Sequence, residues 1–501
     1  MRSVGLGDAK TTPNQALAKA RAFYAARTTR PRLPDGGPKP FFAERRALRT
    51  PAKTERLERP TAKTLPSIPS AAILALTRAG FGPTSTDVAA FDALGVDDAS
   101  RLQAWVDQQL APGSIDDSAC DARVAQSGFT TLGKTTQQYW QEHNHHPDWQ
   151  VVMQPFWETQ FQTFLRAIHS RRQLFEKMVG FWHDHFNVYG DDQPFGPMFV
   201  ELDRDAIRAN ALGNFRDMVT AVTRSIAMLF YLDNAYNSND DANENYAREL
   251  LELHTLGADH YFGSVDPSTV PVDGDGVPEG YTEADVIEAA RCLTGWTVDS
   301  QWVYWLFAET GNFRYEAAWH DDGAKAVVGL QVAAGGGEQD GHDLIDWLCR
   351  HPATARFVTA KLCRRLIGDN PPRAVLDAAA ATFSAQVDAA DQIAQTVRTI
   401  FLHPSFLTTW GDKVKRPFEI AVSMFRSLDI DLPFTLAEDD DMTGWFYWEY
   451  YQTGQPLFGW NPPNGYPDFK EAWNTTAPRV MCWRLANMIL SIWDEDDDFY
   501  H

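Results

Sequence analysis

The feature that most constrains the fold is a helical spacing of apolar residues that continues through most of the chain. Apolar residues recur every three to four positions, the pattern of an amphipathic α-helix. In the first such segment, SAAILALTRAGFG from Ser70, Gly80, Gly82 and Pro83 supply the stop signal. A second short helix is predicted over SRLQAWVDQQL. Later segments with the helical pattern are about Val151–Phe186, Arg204–Tyr231, Asn243–Leu256, Thr282–Leu293, His342–Leu348, Ala353–Leu366, Ala389–Phe401, Lys415–Leu428 and Pro478–Trp493.

One region departs from the helical pattern. In Gln301–Val332, the stretches WVYWLF, FRYEAAW and AVVGLQV are short or alternating and have glycine-containing turns between them. Val265–Gly280 is rich in Pro, Gly and Asp, which predicts a surface loop. The sequence therefore predicts an all-α protein, a large multi-helix single domain with a small β-hairpin or three-stranded insert near residues 301–332.

The two ends differ from the predicted helical domain, residues 67–494. Residues 1–66 are rich in proline and carry 15 Lys/Arg against 5 Asp/Glu, a net charge of +10, while the rest carries 30 against 62. They predict a basic arm that is disordered or clings to the surface, and that could bind an acidic protein partner. Residues 495–501 form an acidic tail.

Composition excludes several classes of protein. An acidic body argues against a nucleic-acid groove, because phosphate binding needs clustered cations. No run of about 18 apolar residues exists, so no membrane span is predicted. The N-terminus lacks the apolar region of a secretory signal, so the chain as written is expected in the cytoplasm. Five scattered cysteines without a CxxC pair predict no disulfide framework, and Cys292, Cys349 and Cys363, within apolar helical patterns, are predicted to be buried thiols. The sequence has no P-loop, no GxGxxG after a strand, no GxSxG and no HExxH motif, so it gives no support to a nucleotide-dependent enzyme or a serine hydrolase.

The motif FWHDHF, Phe181–Phe186, supplies the first candidate site residues. On a helix, His185 falls on the apolar stripe and His183 points roughly the opposite way. If the helix ended at Trp182, an extended HDH would place both imidazoles on one side, as a pair of metal ligands requires. The structural alternative is one capping histidine and one hydrogen-bonded core histidine.

The segment ENYARELLELHTLG, Glu244–Gly257, supplies the second set. His254 lies near the centre of an apolar arc and should be buried, while Glu249 and Glu252 lie on one edge. His254 and Glu249 are roughly 140° apart on this wheel, so a bend would be needed for both to bind one metal. The alternative is a structural helix with Glu252 paired to Arg248.

Two buried-face histidines on different helices suggest a metal centre. If the helices pack together, His185 and His254 meet in the core, and neutral imidazole is the commonest protein ligand of Zn, Cu and Fe. Adding His183 and Glu249 gives three histidines and a carboxylate, a set that suits an open catalytic site for one Fe, Cu, Mn or Zn ion. Glu249 would be a fourth ligand or a general base.

Three further loops carry polar residues that could contribute to a site. HDDGAK, His320–Lys325, could cover a pocket, with His320 and Asp321 catalytic and Lys325 holding an anionic group; the alternative is a polar turn. HNHHP, His143–Pro147, is interpreted as surface decoration, with adventitious metal binding as the alternative. NPPNGYPD, Asn461–Asp468, is interpreted as a rigid structural loop.

Two functional hypotheses follow. The first is a metal-dependent enzyme, with redox chemistry favoured over hydrolysis because Trp, Phe and Tyr surround the predicted site. The second is a non-catalytic binding or assembly protein, in which the His/Glu clusters are a structural polar core. The ligand is then an unidentified small molecule, polymer or protein.

A series of motifs, in order along the chain from about Ser70 to Leu490, resembles the bacterial family catalogued as domain of unknown function 1800. The resemblance implies a mostly helical bacterial protein of one extended domain, and it implies no activity. Members of that family are often exported and are frequently encoded near proteins with a sulfatase/phosphatase-like fold; here a basic arm stands where an export signal would be. The motifs include RAGFGPT at Arg78, FWHDHF, LGNFRDM at Leu212, AMLFYLDNAYN at Ala227, NENYARELLELHTLG at Asn243, YTEADVIEAARCLTGW at Tyr281, WHDDGAK at Trp319, HPATARFVTAKLCRRL at His351, VKRPFE at Val414 and GQPLF at Gly454.

Overall fold

Many helices begin at caps that the sequence itself supplies. The computed structural model describes residues 68–411, 413–436 and 441–493. Thr282 is an example of such a cap. Its hydroxyl accepts a hydrogen bond from the backbone N–H of Asp285, and the Asp285 carboxylate accepts one from the backbone N–H of Thr282. This reciprocal pair satisfies two of the donors that a helix start leaves open.

Helices dominate the described residues, as predicted. Short 3₁₀ turns are Pro112–Ser114, Asn234–Tyr236, Ala258–His260, Pro267–Thr269 and Ala317–Trp319, and π-helical turns are Tyr139–Asn144, Leu202–Arg208 and Leu250–His254. The α-helices are Ala71–Arg78, Ser85–Asp92, Asp98–Gln109, Ser118–Gln126, Thr136–Gln138, Trp149–His169, Gln173–His185, Phe195–Glu201, Phe215–Arg224, Ile226–Tyr231, Asn245–Glu249, Glu283–Cys292, Glu338–Arg350, Pro352–Leu366, Arg373–Ala385, Gln392–Leu402, Ser405–Thr408, Pro417–Leu428, Asp441–Tyr451, Lys470–Trp473 and Thr476–Trp493.

The β structure consists of two antiparallel pairs of three-residue strands. Strand β1, Trp296–Val298, pairs with β2, Phe313–Tyr315. Strand β3, Lys325–Val327, pairs with β4, Leu330–Val332, so the small β insert is confirmed. The predicted strand WVYWLF is instead a series of turns in which Trp305 and Leu306 are exposed.

The long run predicted over Val151–Phe186 forms two helices, with a break at residues 170–172. Asp117 causes the break: its carboxylate accepts from the Ser170 hydroxyl and from the Arg171 backbone N–H, both at 2.7 Å. The partner is distant in sequence, so periodicity alone did not reveal the interruption.

Aromatic side chains fill much of the core. The Phe164 ring stacks on Phe434 with centroids 5.2 Å apart, and Phe446 and Tyr450 meet it edge-on. Fully buried Trp182 donates its indole N–H to the Ala211 carbonyl at 2.9 Å, so its polar atom is also satisfied. The helix Gln173–His185, which carries Trp182, packs into this aromatic core.

All five cysteines are buried and free. Burial raises the pKa of the Cys292 and Cys363 thiols to about 12 and also raises that of Cys482. The predicted buried thiols are thus confirmed.

The described residues between Ser70 and Trp493 belong to one compact unit. Within the described ranges, no helix has the length and apolar character needed to cross a membrane. The predicted basic arm, 1–66, and acidic tail, 495–501, lie outside the described residues.

Candidate functional site

The helix that carries FWHDHF continues through both of its histidines. Because this histidine helix, Gln173–His185, does not end at Trp182, the two imidazoles reach different surroundings. His183 packs on Phe199 and lies 2.8 Å from an Asp203 carboxylate oxygen, whereas His185 lies beside His254. The extended pair of ligands considered from the sequence is therefore not formed.

His183 ends a buried chain of charged groups. Asp203 also accepts from Arg208 at 2.9 Å, and the guanidinium of Arg208 binds both carboxylate oxygens of Glu176 at 3.0 and 2.9 Å. Burial alone would raise the pKa of Asp203, but Arg208 and the hydrogen bond from His183 together lower it to about 2. The carboxylate is therefore ionised, and His183 has a structural partner.

This network predicts that the free energy of unfolding falls at acidic pH. The folded-state pKa of Asp203 lies below the ordinary 3.8, so its contribution of about 2 kcal/mol is present above pH 4 and is lost as the pH falls towards 2. Urea unfolding of the native chain and of Asp203→Asn should show a stability difference that narrows over this range. Asp107→Asn, on the surface, is the control. A difference that stays constant with pH would contradict the assignment.

His185 and His254 do meet in the core. Their ring centroids are 6.3 Å apart, and His185 donates its Nε2–H to the backbone oxygen of His254 at 3.1 Å. His185 Nδ1 and both ring nitrogens of His254 are buried and have no hydrogen-bond partner among the described residues. Burial, with a contribution from Lys361, lowers the pKa of His254 to about 3 and that of His185 as well. Both imidazoles are neutral at neutral pH.

Glu249 does not join the histidines in a ligand set. It is half-buried, and burial together with neighbouring Glu252 raises its pKa to about 7. Arg248 pairs with Glu283, at 2.5 Å, and not with Glu252. Across the described part of the chain, no group of three or more His, Cys, Asp or Glu side chains is placed to hold a metal. The four predicted ligands, His183, His185, His254 and Glu249, are thus not brought together.

The His320 loop is a buried polar cluster and not a pocket cover. The carboxylate of Asp340 lies 2.6 Å from Lys325 Nζ and 3.2 Å from His320 Nε2. Asp321 is held by both nitrogens of the Arg291 fork, at 2.7 and 3.1 Å. The catalytic roles expected for His320, Asp321 and Lys325 do not fit this placement, because their polar atoms are engaged by other protein groups.

A cleft of about 260 Å³ lies beside His185. Its walls are the end of the histidine helix, the helix Pro352–Leu366 (the lysine helix) and the loop Asn461–Phe469 (the cleft loop). A smaller cavity of about 50 Å³ lies alongside and is lined by His183. Three residues line both spaces: Asp184, Arg365 and Tyr466.

The cleft loop is fastened to the turn that follows the histidine helix. Asn187 donates its amide hydrogens to the carbonyls of Trp460 and Pro462, both at 2.8 Å. Gly465 has a φ of +71° and lies so close to the Asp184 backbone that a Cβ would overlap its carbonyl oxygen. The loop read from the sequence as structural is therefore also a wall of the cleft.

The two carboxylates of the cleft already have cationic partners. Asp184 binds Arg416 at 2.6 Å. Asp468 binds Arg365 and Lys413, each at 3.1 Å. Both carboxylates also favour the charged form of Lys361, but neither forms an ion pair with it.

Two of the cations that line the cleft, Lys361 and Arg364, have no carboxylate partner among the described residues. Lys361 Nζ lies 5.3 Å from the centre of the Phe357 ring, and the Arg364 guanidinium lies 4.3 Å from that of Phe469. Burial lowers the pKa of Lys361 to about 8, although Asp184 opposes the shift. These cleft residues were not among those predicted from the sequence. The signal that could have indicated them is the spacing of Lys361, Arg364 and Arg365 in the motif TAKLCRRL, which places all three on one face of a helix.

Comparison with known proteins agrees with the resemblance drawn from the motifs. The family model described as "Protein of unknown function (DUF1800)" matches residues 74–499, most of the chain. No curated protein and no solved structure matches the chain.

Proposed function

The chain belongs to the DUF1800 family, and we propose that it binds a small anionic molecule in the cleft beside His185. The observation that carries this proposal is the pair Lys361 and Arg364, which line the cleft without a carboxylate within 4 Å among the described residues. Unpaired charge near a protein interior is unfavourable unless a ligand or water compensates it. An anion supplies that compensation.

The dimensions of the cleft favour a small ligand. Its volume, about 260 Å³, lies just below the range of about 300–1,000 Å³ typical of drug-sized ligand sites. A polymer would require an extended groove, so this site favours the small-molecule form of the binding hypothesis.

The two cations differ in what they contribute. The guanidinium of Arg364 can present two parallel N–H donors to a carboxylate or phosphate, whereas the ammonium of Lys361 acts as a point charge. Aromatic rings under both groups, Phe469 and Phe357, hold them at the cleft without consuming their hydrogen bonds. This arrangement suits an anion with at least two oxygen atoms.

Calorimetric titration with inorganic phosphate, and separately with pyruvate, tests the proposal. We expect saturable binding that Lys361→Gln and Arg364→Gln each weaken by about tenfold or more, since a hydrogen bond to a charged group contributes about 1.5–3 kcal/mol. Arg373→Gln is the control, because Arg373 is a highly exposed arginine on another helix. Absence of binding to the native chain, or equal weakening in the control, would contradict the proposal.

A metal-dependent enzyme, redox or hydrolytic, is the second candidate. It is favoured by the three buried ring nitrogens of His185 and His254 that lack partners, because such atoms call for a bound water, ion or ligand. These two side chains would hold the metal, and its further ligands would be water or substrate. Elemental analysis of chelator-free protein beside a His185→Ala/His254→Ala double variant tests this candidate; a native protein without metal after reconstitution would exclude it.

A further inference from the structure

We propose that Lys361 forms an imine with the carbonyl group of a small oxo acid whose carboxylate is held by Arg364. This inference rests on the proposed anion site and names its substrate class. It assigns different tasks to the two cations that have no carboxylate partner. Arg364 binds the carboxylate of the substrate, and Lys361 supplies a nucleophilic amine.

The first support is that the Lys361 amine is not engaged. Its Nζ has no hydrogen-bond acceptor among the described residues and lies over the Phe357 ring, 5.3 Å from the ring centre. Other lysines differ in this respect: Lys177 is tied to Glu419, Lys325 to Asp340 and Lys413 to Asp369. An amine held as ammonium in an ion pair has no lone pair available for attack, whereas that of Lys361 has no such restraint.

The second support is the environment of the amine within the cleft. Lys361 is half-buried, and desolvation favours its neutral form, the nucleophilic one. Arg364 lies one helical turn further along and lines the same cleft, so a bound carboxylate would bring its neighbouring carbonyl carbon near the amine. Holding the carbonyl carbon close to the amine in this way favours imine formation at Lys361 over other lysines.

The third support is a group able to move protons. His185 lines the cleft, and because its Nε2–H is donated to the His254 backbone oxygen, its Nδ1 carries a lone pair with no partner among the described residues. A lone pair in this position can relay a proton between two atoms of a bound molecule.

The reaction balances without any oxidant or reductant. The Nζ lone pair attacks the carbonyl carbon, a C–N bond forms, and the carbonyl electron pair moves to oxygen, which takes up a proton. Loss of the amine proton and of the hydroxyl group as water then breaks the C–O bond and leaves a C=N bond to Lys361. His185 is the candidate to transfer the proton from nitrogen to the departing oxygen.

Trapping with sodium cyanoborohydride tests the inference on the full chain. The protein is incubated with pyruvate and the reductant, digested, and examined by mass spectrometry for carboxyethyl groups on each lysine. At neutral pH we expect Lys361 to be labelled about tenfold more than Lys470, a half-buried lysine outside the cleft, since a carboxylate bound by Arg364 holds the carbonyl carbon near the Lys361 amine. Acetone, a carbonyl compound without a carboxylate, should show no such preference.

Variants separate this inference from the anion site. Lys361→Arg keeps the positive charge, so phosphate binding should persist while pyruvate labelling at this position is lost. Arg364→Gln should reduce labelling of Lys361 to the level of Lys470. If the native chain binds phosphate but pyruvate labels Lys361 no more than Lys470, the imine inference is wrong and the anion site stands. If the native chain binds neither anion, the proposed function itself is wrong.

Discussion

Asp340→Ala is expected to lower the free energy of unfolding by about 3–5 kcal/mol, the usual cost of removing one partner of a buried ion pair. The substitution leaves Lys325 buried, with only carbonyl oxygens around its ammonium group. It also removes the carboxylate beside His320 Nε2. Urea unfolding followed by circular dichroism measures the loss.

Two further variants show whether the charge is responsible. Asp107→Ala removes half of the exposed pair that Asp107 makes with Arg398, and it should cost less than about 1 kcal/mol. The double variant Lys325→Met/Asp340→Leu removes both charges and should recover much of the loss, since apolar groups of similar size replace buried pairs well. A cost below 1 kcal/mol for Asp340→Ala would contradict the structural role and reopen a functional role for His320 and Lys325.

Gly465→Ala is expected to cost about 2–5 kcal/mol and to abolish phosphate binding in the cleft. The left-handed backbone at φ +71° costs a side-chain-bearing residue about 1–2 kcal/mol, and the overlap of the new Cβ with the Asp184 carbonyl adds about 1–3 kcal/mol. The overlap can be relieved only if the cleft loop moves away from the histidine helix. Unfolding curves and phosphate titrations on the same preparation measure both effects.

Gly454→Ala is the matched control for this substitution. Gly454 has a φ of +86°, but no atom lies within 4 Å of the position its Cβ would occupy. The control therefore carries the backbone cost alone and should leave phosphate binding intact. Equal losses in the two variants would show that the close approach of Gly465 to Asp184 does not hold the loop in place.

Helices fixed by local pattern were predictable from the sequence, and those defined by distant partners were not. The predicted Ala353–Leu366 and Pro478–Trp493 agree closely with the observed Pro352–Leu366 and Thr476–Trp493, because apolar spacing and end signals lie within each segment. The break at Ser170 depends on a carboxylate from a distant helix, and no pattern within the run encodes it.

The same division applies to the site. The meeting of His185 and His254 could be anticipated, since each lies on the apolar face of its own helix and such faces pack together. The surroundings of Lys361 could not be anticipated from the sequence, because three segments far apart along the chain form the walls of the cleft. The sequence predicted that Lys325 holds an anionic group of a ligand. In the structure Lys325 instead forms an ion pair with Asp340, from the following helix.

The state of the five cysteines has a practical consequence for spectroscopy. Buried thiols with raised pKa values contain little thiolate at neutral pH, and thiolate is the form that reacts with maleimide dyes. A cysteine introduced on the exposed rim of the cleft, as in Asn464→Cys, would then be labelled selectively in the otherwise native sequence. A fluorophore attached there would report directly on the occupancy of the cleft.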